Sequence, residues 1–296
     1  MAVNMVHVTA DVTQCDAPAD TGACDEFDAA LGKVSSLTVV HDSAKSKKHG
    51  GARLLRKCAL VDADGKELCH ILVTDDKPVG SSKLPVHSPP FFAFKAVVQL
   101  PDGRKVFTVK NDGCEKMSLR EDGLIALPLT QVMDRGDAGT IEVGNSPSSC
   151  LAPCILGYDN TPVTLTHSVA GAQNVALVPN VAQNAAYNKF MCAYCAVGYL
   201  TFCAGAIFIR CFVRAPDMHR HLVTVTDTAP LGAGVAIKDQ LCLEGLAESC
   251  TGLKGPKKII NFEANAPLQA RKDMIALIAY VIGGGMITQV RPPSAF

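Results

Sequence analysis

Cysteine pairs are the first candidates for chemistry in this sequence. Cys192 and Cys195 form a Cys-x-x-Cys, and Cys150 and Cys154 lie one residue wider apart. A structural zinc needs four soft ligands converging tetrahedrally, usually as two tight pairs. Here the tight pair sits inside an apolar run with no second pair of its spacing. His219 and His221 could complete it only by closing a long, unpatterned loop. No metal site is therefore expected. Two other readings stand: buried cysteines acting as small hydrophobes, and reversible acylation of Cys192 and Cys195 beside an apolar segment.

Other motifs fail on spacing. Asp62-Ala63-Asp64-Gly65 resembles the middle of a calcium loop, but Leu60 and Ile71 stand where the loop needs an acid and a bidentate glutamate. A turn is expected instead. Ser146 and Ser148 flank Pro147, which favours a plain loop over a nucleophile elbow. Cys69 and His70 are neighbours on an expected strand, so their side chains point to opposite faces and cannot form a dyad. Gly283-Gly284-Gly285 lacks the lysine of a phosphate loop, and reads as a helix stop, kink or close-packing point. No catalytic constellation assembles, so a non-enzymatic protein without a cofactor is expected.

One charged cluster remains. Residues 43–57 hold Lys45, Lys47, Lys48, Arg53, Arg56 and Lys57 with no acid after Asp42, centred on Lys47-Lys48-His49-Gly50-Gly51. Such a run can be a solvated loop, a partner for the acidic leader of residues 1–34, or a contact for anionic lipid headgroups.

The bulk composition narrows the setting. Lysine plus arginine equals aspartate plus glutamate, 28 each, so no global field draws nucleic acid. Charged residues are only 19% and tryptophan is absent. Thirteen cysteines, irregularly spaced, read as reduced thiols. The first residues show neither the basic-then-apolar pattern of a secretory signal nor the acid-poor composition of a mitochondrial presequence. A cytoplasmic protein, or one on the cytosolic face of a membrane or integral to it, is expected.

The elements that must position these residues are mostly strands. Asp-Gly turns at 62–66 and 101–104 divide β-rich runs and predict hairpins, because glycine accepts the positive φ of a tight turn. Further strands are expected at 34–41, 124–129, 140–143, 163–167 and 175–178, an antiparallel meander in this half of the chain, and again at 222–226, 234–238, 240–246 and 259–262. Residues 190–209 carry no charge. By length they read as a membrane span or as two buried strands. Residues 274–290 are likewise uncharged, and a helix apolar on every side must enter a core or a bilayer. Asn265 as N-cap with Pro267 just inside fits its start.

The order of these pieces resembles the tubby C-terminal-like superfamily, in its phospholipid scramblase and LURP-one-related branches. Leu60 to Leu68 and Gln99 to Phe107 look like that family's repeated Asp-x-x-Gly hairpins. Glu244-Gly245-Leu246, Thr251-Gly252, Ile260-Asn261-Phe262-Glu263-Ala264 and the apolar helix look like the scramblase ending. The resemblance covers about a third of the chain. In place of the scramblases' acidic segment stands the basic Leu253 to Lys258, and their proline-rich leader is missing.

The resemblance implies a mainly β (α+β) fold, an antiparallel closed β-barrel around an apolar C-terminal helix. It would comprise residues 35–296 as one domain behind the 1–34 arm, with helix 268–282 filling the barrel through Met274, Ile275, Leu277, Ile278, Val281 and Ile282. The function it implies is a membrane-associated, lipid-interacting module whose anionic lipids meet the basic cluster. The competing expectation is a structural subunit of a membrane-embedded or capsid-like assembly, bound to neighbouring protein subunits, with 190–209 and 274–290 spanning a bilayer.

Overall fold

The computed structural model describes residues 20–42, 48–49, 52–75, 94–111, 124–125, 130–134, 137–143, 146–147, 162–168, 170–201, 205, 209, 212–238 and 257–283. A first helix, α1 (Thr21–Leu31), precedes β1 (Ser36–Asp42), β2 (Lys48–His49), β3 (Ala52–Asp62), β4 (Glu67–Asp75), β5 (Phe94–Gln99) and β6 (Lys105–Asn111). Then come β7 (Leu124–Ile125), β8 (Thr130–Asp134), β9 (Asp137–Val143), β10 (Ser146–Pro147), β11 (Val163–His167) and β12 (Val175–Pro179). Helix α2 (Ala185–Leu200), β13 (Met218–Thr224), β14 (Pro230–Lys238), β15 (Lys257–Phe262) and α3 (Leu268–Gly283) follow.

The chain is mainly β and its strand pairs are antiparallel. The large sheet runs β1-β15-β14-β13-β12-β11-β9-β8-β6-β5-β4-β3-β2, and β7 pairs separately with β10. β1 is paired on both edges, with β15 through Ser36↔Asn261 to Val39↔Lys258 and with β3 through Leu37↔Asp62 to Asp42↔Lys57. The expected strand at 240–246 lies outside the described residues.

The hairpin turns form as their chemistry dictates. Gly65 and Gly103 sit at φ 82 and 93, the conformation that glycine adopts without a Cβ clash. Asp62 Oδ1 accepts from the amides of Asp64 and Lys66 at 3.0 and 2.8 Å. That oxygen is committed to the turn, which is the Asx-turn role of aspartate.

The connections are strongly sided. Registers place the short connections 63–66, 100–104, 135–136, 168–174 and 225–229 at one end of the sheet. The long connections 43–51, 76–93, 112–129, 144–162, 180–217 and 239–256 all join strand ends at the other.

Helix α3 touches β4, β5 and β6 and also β11, β12 and β14, so strands far apart in the sheet order share it. Met274, Ile275, Leu277, Ile278, Val281 and Ile282 are all buried, and Tyr280 rests against Phe94. The helix is capped two residues later than the capping expectation: Pro267 supplies the first carbonyl, to the Arg271 amide. Asn265 lies in the preceding turn. Proline needs no partner for an N–H it lacks, so it can stand at that boundary.

Residues 21–31, expected only as part of an acidic arm, form a helix that seals the short-turn end. Asp20 caps it by accepting from Gly22 and Ala23 N–H at 2.8 and 3.2 Å. Phe27 and Leu31 are fully buried, with Phe27 edge-on to Phe107. Arg271, buried at the start of α3, donates to the carbonyls of Leu31, Val34, Glu263 and Ala266 and lies 5.0 Å over the Phe262 ring. Lys272 reaches Asp28 at 3.5 Å. On the next turn Asp273 meets His167 at 3.2 Å and Gln269 at 2.8 Å.

Among the described residues no helix is long and apolar enough to cross a membrane. The segment expected as a span contributes to α2, whose 16 residues reach about 24 Å at 1.5 Å per residue, short of the ~30 Å hydrocarbon core. Residues 284–290 of the other expected span lie outside the described residues.

Candidate functional site

The end with the long connections gathers several basic side chains, with Asp42, Asp75 and Asp217 among them. There β3 begins, β14 ends and β15 begins, with Lys57 opposite Asp42, Lys258 opposite Val39 and Ile237, and Lys257 opposite Lys238. Helix α3 also ends here. A helix C-terminus carries unpaired carbonyls and partial negative charge. Arg56 answers it by donating Nη1 to the Ile282 carbonyl at 2.9 Å.

Three of the groups at this end face the core side of their strands. Along β15 burial alternates, with Lys258, Ile260 and Phe262 covered and Lys257 and Asn261 exposed. Burial of Lys258, with the Arg56 charge adding to it, lowers its pKa to about 8, although the Cys58 sulfur pulls the other way. His41 and Cys58 are cross-strand partners, and Sγ of Cys58 lies 3.2 Å from Nδ1 of His41. Burial first, then Lys258 and Arg56, press the His41 pKa down to about 4. The imidazole is thus neutral at physiological pH and a weak base. Its thiol partner is fully buried, so the pair suits packing better than nucleophilic chemistry.

The sequence-derived basic cluster is only partly brought together. Lys45 and Lys47 lie outside the described residues. Lys48 and Arg53 are register partners in the β2–β3 hairpin. Arg56 is exposed and bound to the helix end, and Lys57 is half-buried. The structure adds Lys238, Lys257 and Lys258, of which Lys238 reaches Asp217 at 3.8 Å. The run Lys254 to Lys258 is visible in the sequence as basic. The position of Lys257 and Lys258 one strand away from β3, across β1, is not, because nearly 200 residues separate them from β3 in the chain.

Cys192 is exposed and a free thiol; the side chain of Cys195 is outside the description. Cys69 is buried, which pushes its thiol pKa far up, while its neighbour His70 turns to Glu67 at 3.0 Å. Among the described residues no group of three His, Cys, Asp or Glu side chains is placed to hold a metal.

No family profile matches this chain, and neither a curated protein nor a solved structure resembles it significantly.

Proposed function

We propose that this chain is a non-enzymatic, membrane-associated module that binds anionic lipid headgroups with the long-connection end of its sheet. The observation that carries this reading is sidedness. One end is tied by short turns and sealed by α1, while the other collects the long connections together with Arg56, Lys57, Lys238, Lys257 and the Lys48–Arg53 hairpin. Loops held at one end of a rigid scaffold are where binding surfaces are built.

In this reading the sheet is a closed barrel of the scramblase or LURP-like kind, with α3 running through it. The pairing of β1 with both β15 and β3 supports closure, and so does the contact of α3 with distant strands. A helix apolar on all sides requires such an enclosure in water. Closure would also leave no long unpaired edge.

Vesicle co-sedimentation tests the reading. The protein should bind vesicles containing phosphatidylserine, release in high salt, and ignore pure phosphatidylcholine. Each basic residue near an anionic surface is worth ~1 kcal/mol, so neutralising Lys45, Lys47 and Lys48 together should weaken binding by about a hundredfold. Binding indifferent to salt and lipid charge, or none, would overturn it. A concentration-dependent assembly that forms without lipid would point instead to the structural-subunit reading.

A further inference from the structure

We infer that Lys258, Arg56 and His41 form a binding site for one phosphate oxyanion on the core face of the sheet, just inside its basic end. The lipid-binding reading supplies one source of that oxyanion, a headgroup phosphate, and for that source alone the inference rests on it. Free phosphate is the other source.

Strand order brings the three groups together. β1 lies between β15 and β3, with Val39 opposite Lys258 and His41 opposite Cys58. Side chains two apart on a strand share a face. Val39, Cys58 and Lys258 are all buried, so His41 belongs to the core face with them, and its Nδ1 lies 3.2 Å from Cys58 Sγ. Arg56, two residues before Cys58, turns in far enough for Nη1 to donate to the Ile282 carbonyl at 2.9 Å. Three adjacent strands thus direct three basic groups to the region under the last turn of α3.

Two of these groups are donors without acceptors. Lys258 is 7% exposed and has no hydrogen bond among the described residues. A lysine so covered normally comes with a counter-charge. The Nε2 atom of His41 is buried and has no partner either. In a neutral ring whose Nδ1 accepts the Cys58 S–H, that nitrogen carries the proton.

The surrounding charge has one sign. Arg56 and the Cys58 sulfur act on Lys258, and Lys258 and Arg56 act on His41, with no carboxylate among them. Asp217 reaches Lys238 instead. Burial and the Arg56 charge both press Lys258 toward its neutral form, and a bound anion would oppose that pressure.

Shape and chemistry select the ligand. An ammonium, a guanidinium and an imidazole N–H converging from three strands suit the spread acceptors of a tetrahedral oxyanion. Ile278 and Ile282 of α3 are buried beyond them, so only a compact group fits inward. Arg56 is exposed, which leaves the site open to water on that side. A phosphate ester would therefore enter phosphate first, with its organic part pointing outward.

Titration calorimetry of the full chain with sodium phosphate and with glycerol phosphate, in physiological saline at pH 7, tests the site. One saturable site is expected. Lys258→Met should weaken it about tenfold or more, the loss of a charge-assisted hydrogen bond. Lys257→Met removes the same charge from the exposed face of β15 and should change it by less than about twofold. No saturable binding, or equal losses in the two variants, would overturn the inference and leave the headgroup reading to its own vesicle assay. Phosphatidylserine vesicles then separate the sources. If the headgroup is the ligand, glycerol phosphate at matched ionic strength should displace the protein, and Lys258→Met should bind more weakly than Lys257→Met. Soluble phosphate bound at Lys258 with vesicle binding that shows neither effect would assign the site to free phosphate. Soluble phosphate bound there with no vesicle binding at all would uphold the site and overturn the lipid reading.

Discussion

The two ends of the sheet use the same residue types to opposite purpose. At the short-turn end cations meet partners within the chain: Arg271 the backbone carbonyls, Lys272 Asp28, and, on the surface, Arg104 meets Asp102 and Glu26. At the long-connection end the groups described as acting on Lys258 are the cation Arg56 and the sulfur of Cys58, and Lys257 lies across from Lys238. Like charges set opposite each other cost stability. Asp217, 3.8 Å from Lys238, offsets part of that cost from within, and the remainder is expected to meet its counter-charge from outside.

The sharpest way to break this contrast is to remove the cation that closes the sealed end. Arg271→Leu should destabilise the protein by about 3–5 kcal/mol, because buried carbonyls from three segments lose their donor at once. Urea unfolding followed by circular dichroism measures it. A loss below about 1 kcal/mol would mean that α1 and α3 hold together without this hub, and the contrast between the ends would fail.

At the other end the expected sign reverses. The folded pKa of Lys258, about 8, lies below the ordinary lysine value of 10.5. The unfolded chain therefore binds the extra proton, so stability should rise with pH between 8 and 10.5. Lys258→Met should then stabilise the protein at pH 7 by roughly 2–3 kcal/mol, and the gain should shrink at pH 10. Destabilisation at pH 7 would show that the lysine has an internal partner, as Arg271 does.

His41 gives a smaller, acid-side test. Its folded pKa of about 4 lies below the ordinary 6.5. The unfolded state gains the proton first, and stability is lost as pH falls from 6.5 to 4. The expected loss is about 2 kcal/mol, discounted for partial exposure. His41→Gln should flatten this limb of the pH–stability curve. An unchanged limb in the variant would place the acid sensitivity elsewhere.

How much of this was legible follows from which signals are local. The hairpin at Asp62–Lys66 could be read because Asx hydrogen bonds and a positive-φ glycine are decided within five residues. The core helix could be read because an apolar surface on all sides has few solutions. Helix α1 was obscured: Phe27 and Leu31 give one apolar stripe, but the surrounding acids read as an arm. Its cap, Asp20, is one aspartate among several. Residues 190–209 were ambiguous because hydropathy alone does not say whether a run crosses a bilayer, fills a core or stands on a surface. The site was the least legible. Arg56 and Lys258 become neighbours only through β1, which lies between their strands, and Cys58 meets His41 only through a register that no single segment encodes.

Arg56 joins both halves of the comparison, and the last prediction separates its roles. Its bond to Ile282 O places a cation at a helix C-terminus, worth about 1 kcal/mol in a partly exposed setting. Arg56→Ala should therefore cost about that much in urea, whereas Lys257→Ala, exposed on β15, should cost less than 0.5 kcal/mol. On phosphatidylserine vesicles the order should invert. Lys257→Ala should lose about fivefold in affinity, the ~1 kcal/mol of one interfacial cation, and Arg56→Ala less, since part of its charge already faces the helix carbonyls. Equal losses in both assays would mean that the helix end does not draw on Arg56. Its charge would then belong wholly to the outward-facing set, and the boundary between the inward and outward uses of charge would lie deeper in the sheet, at Lys258.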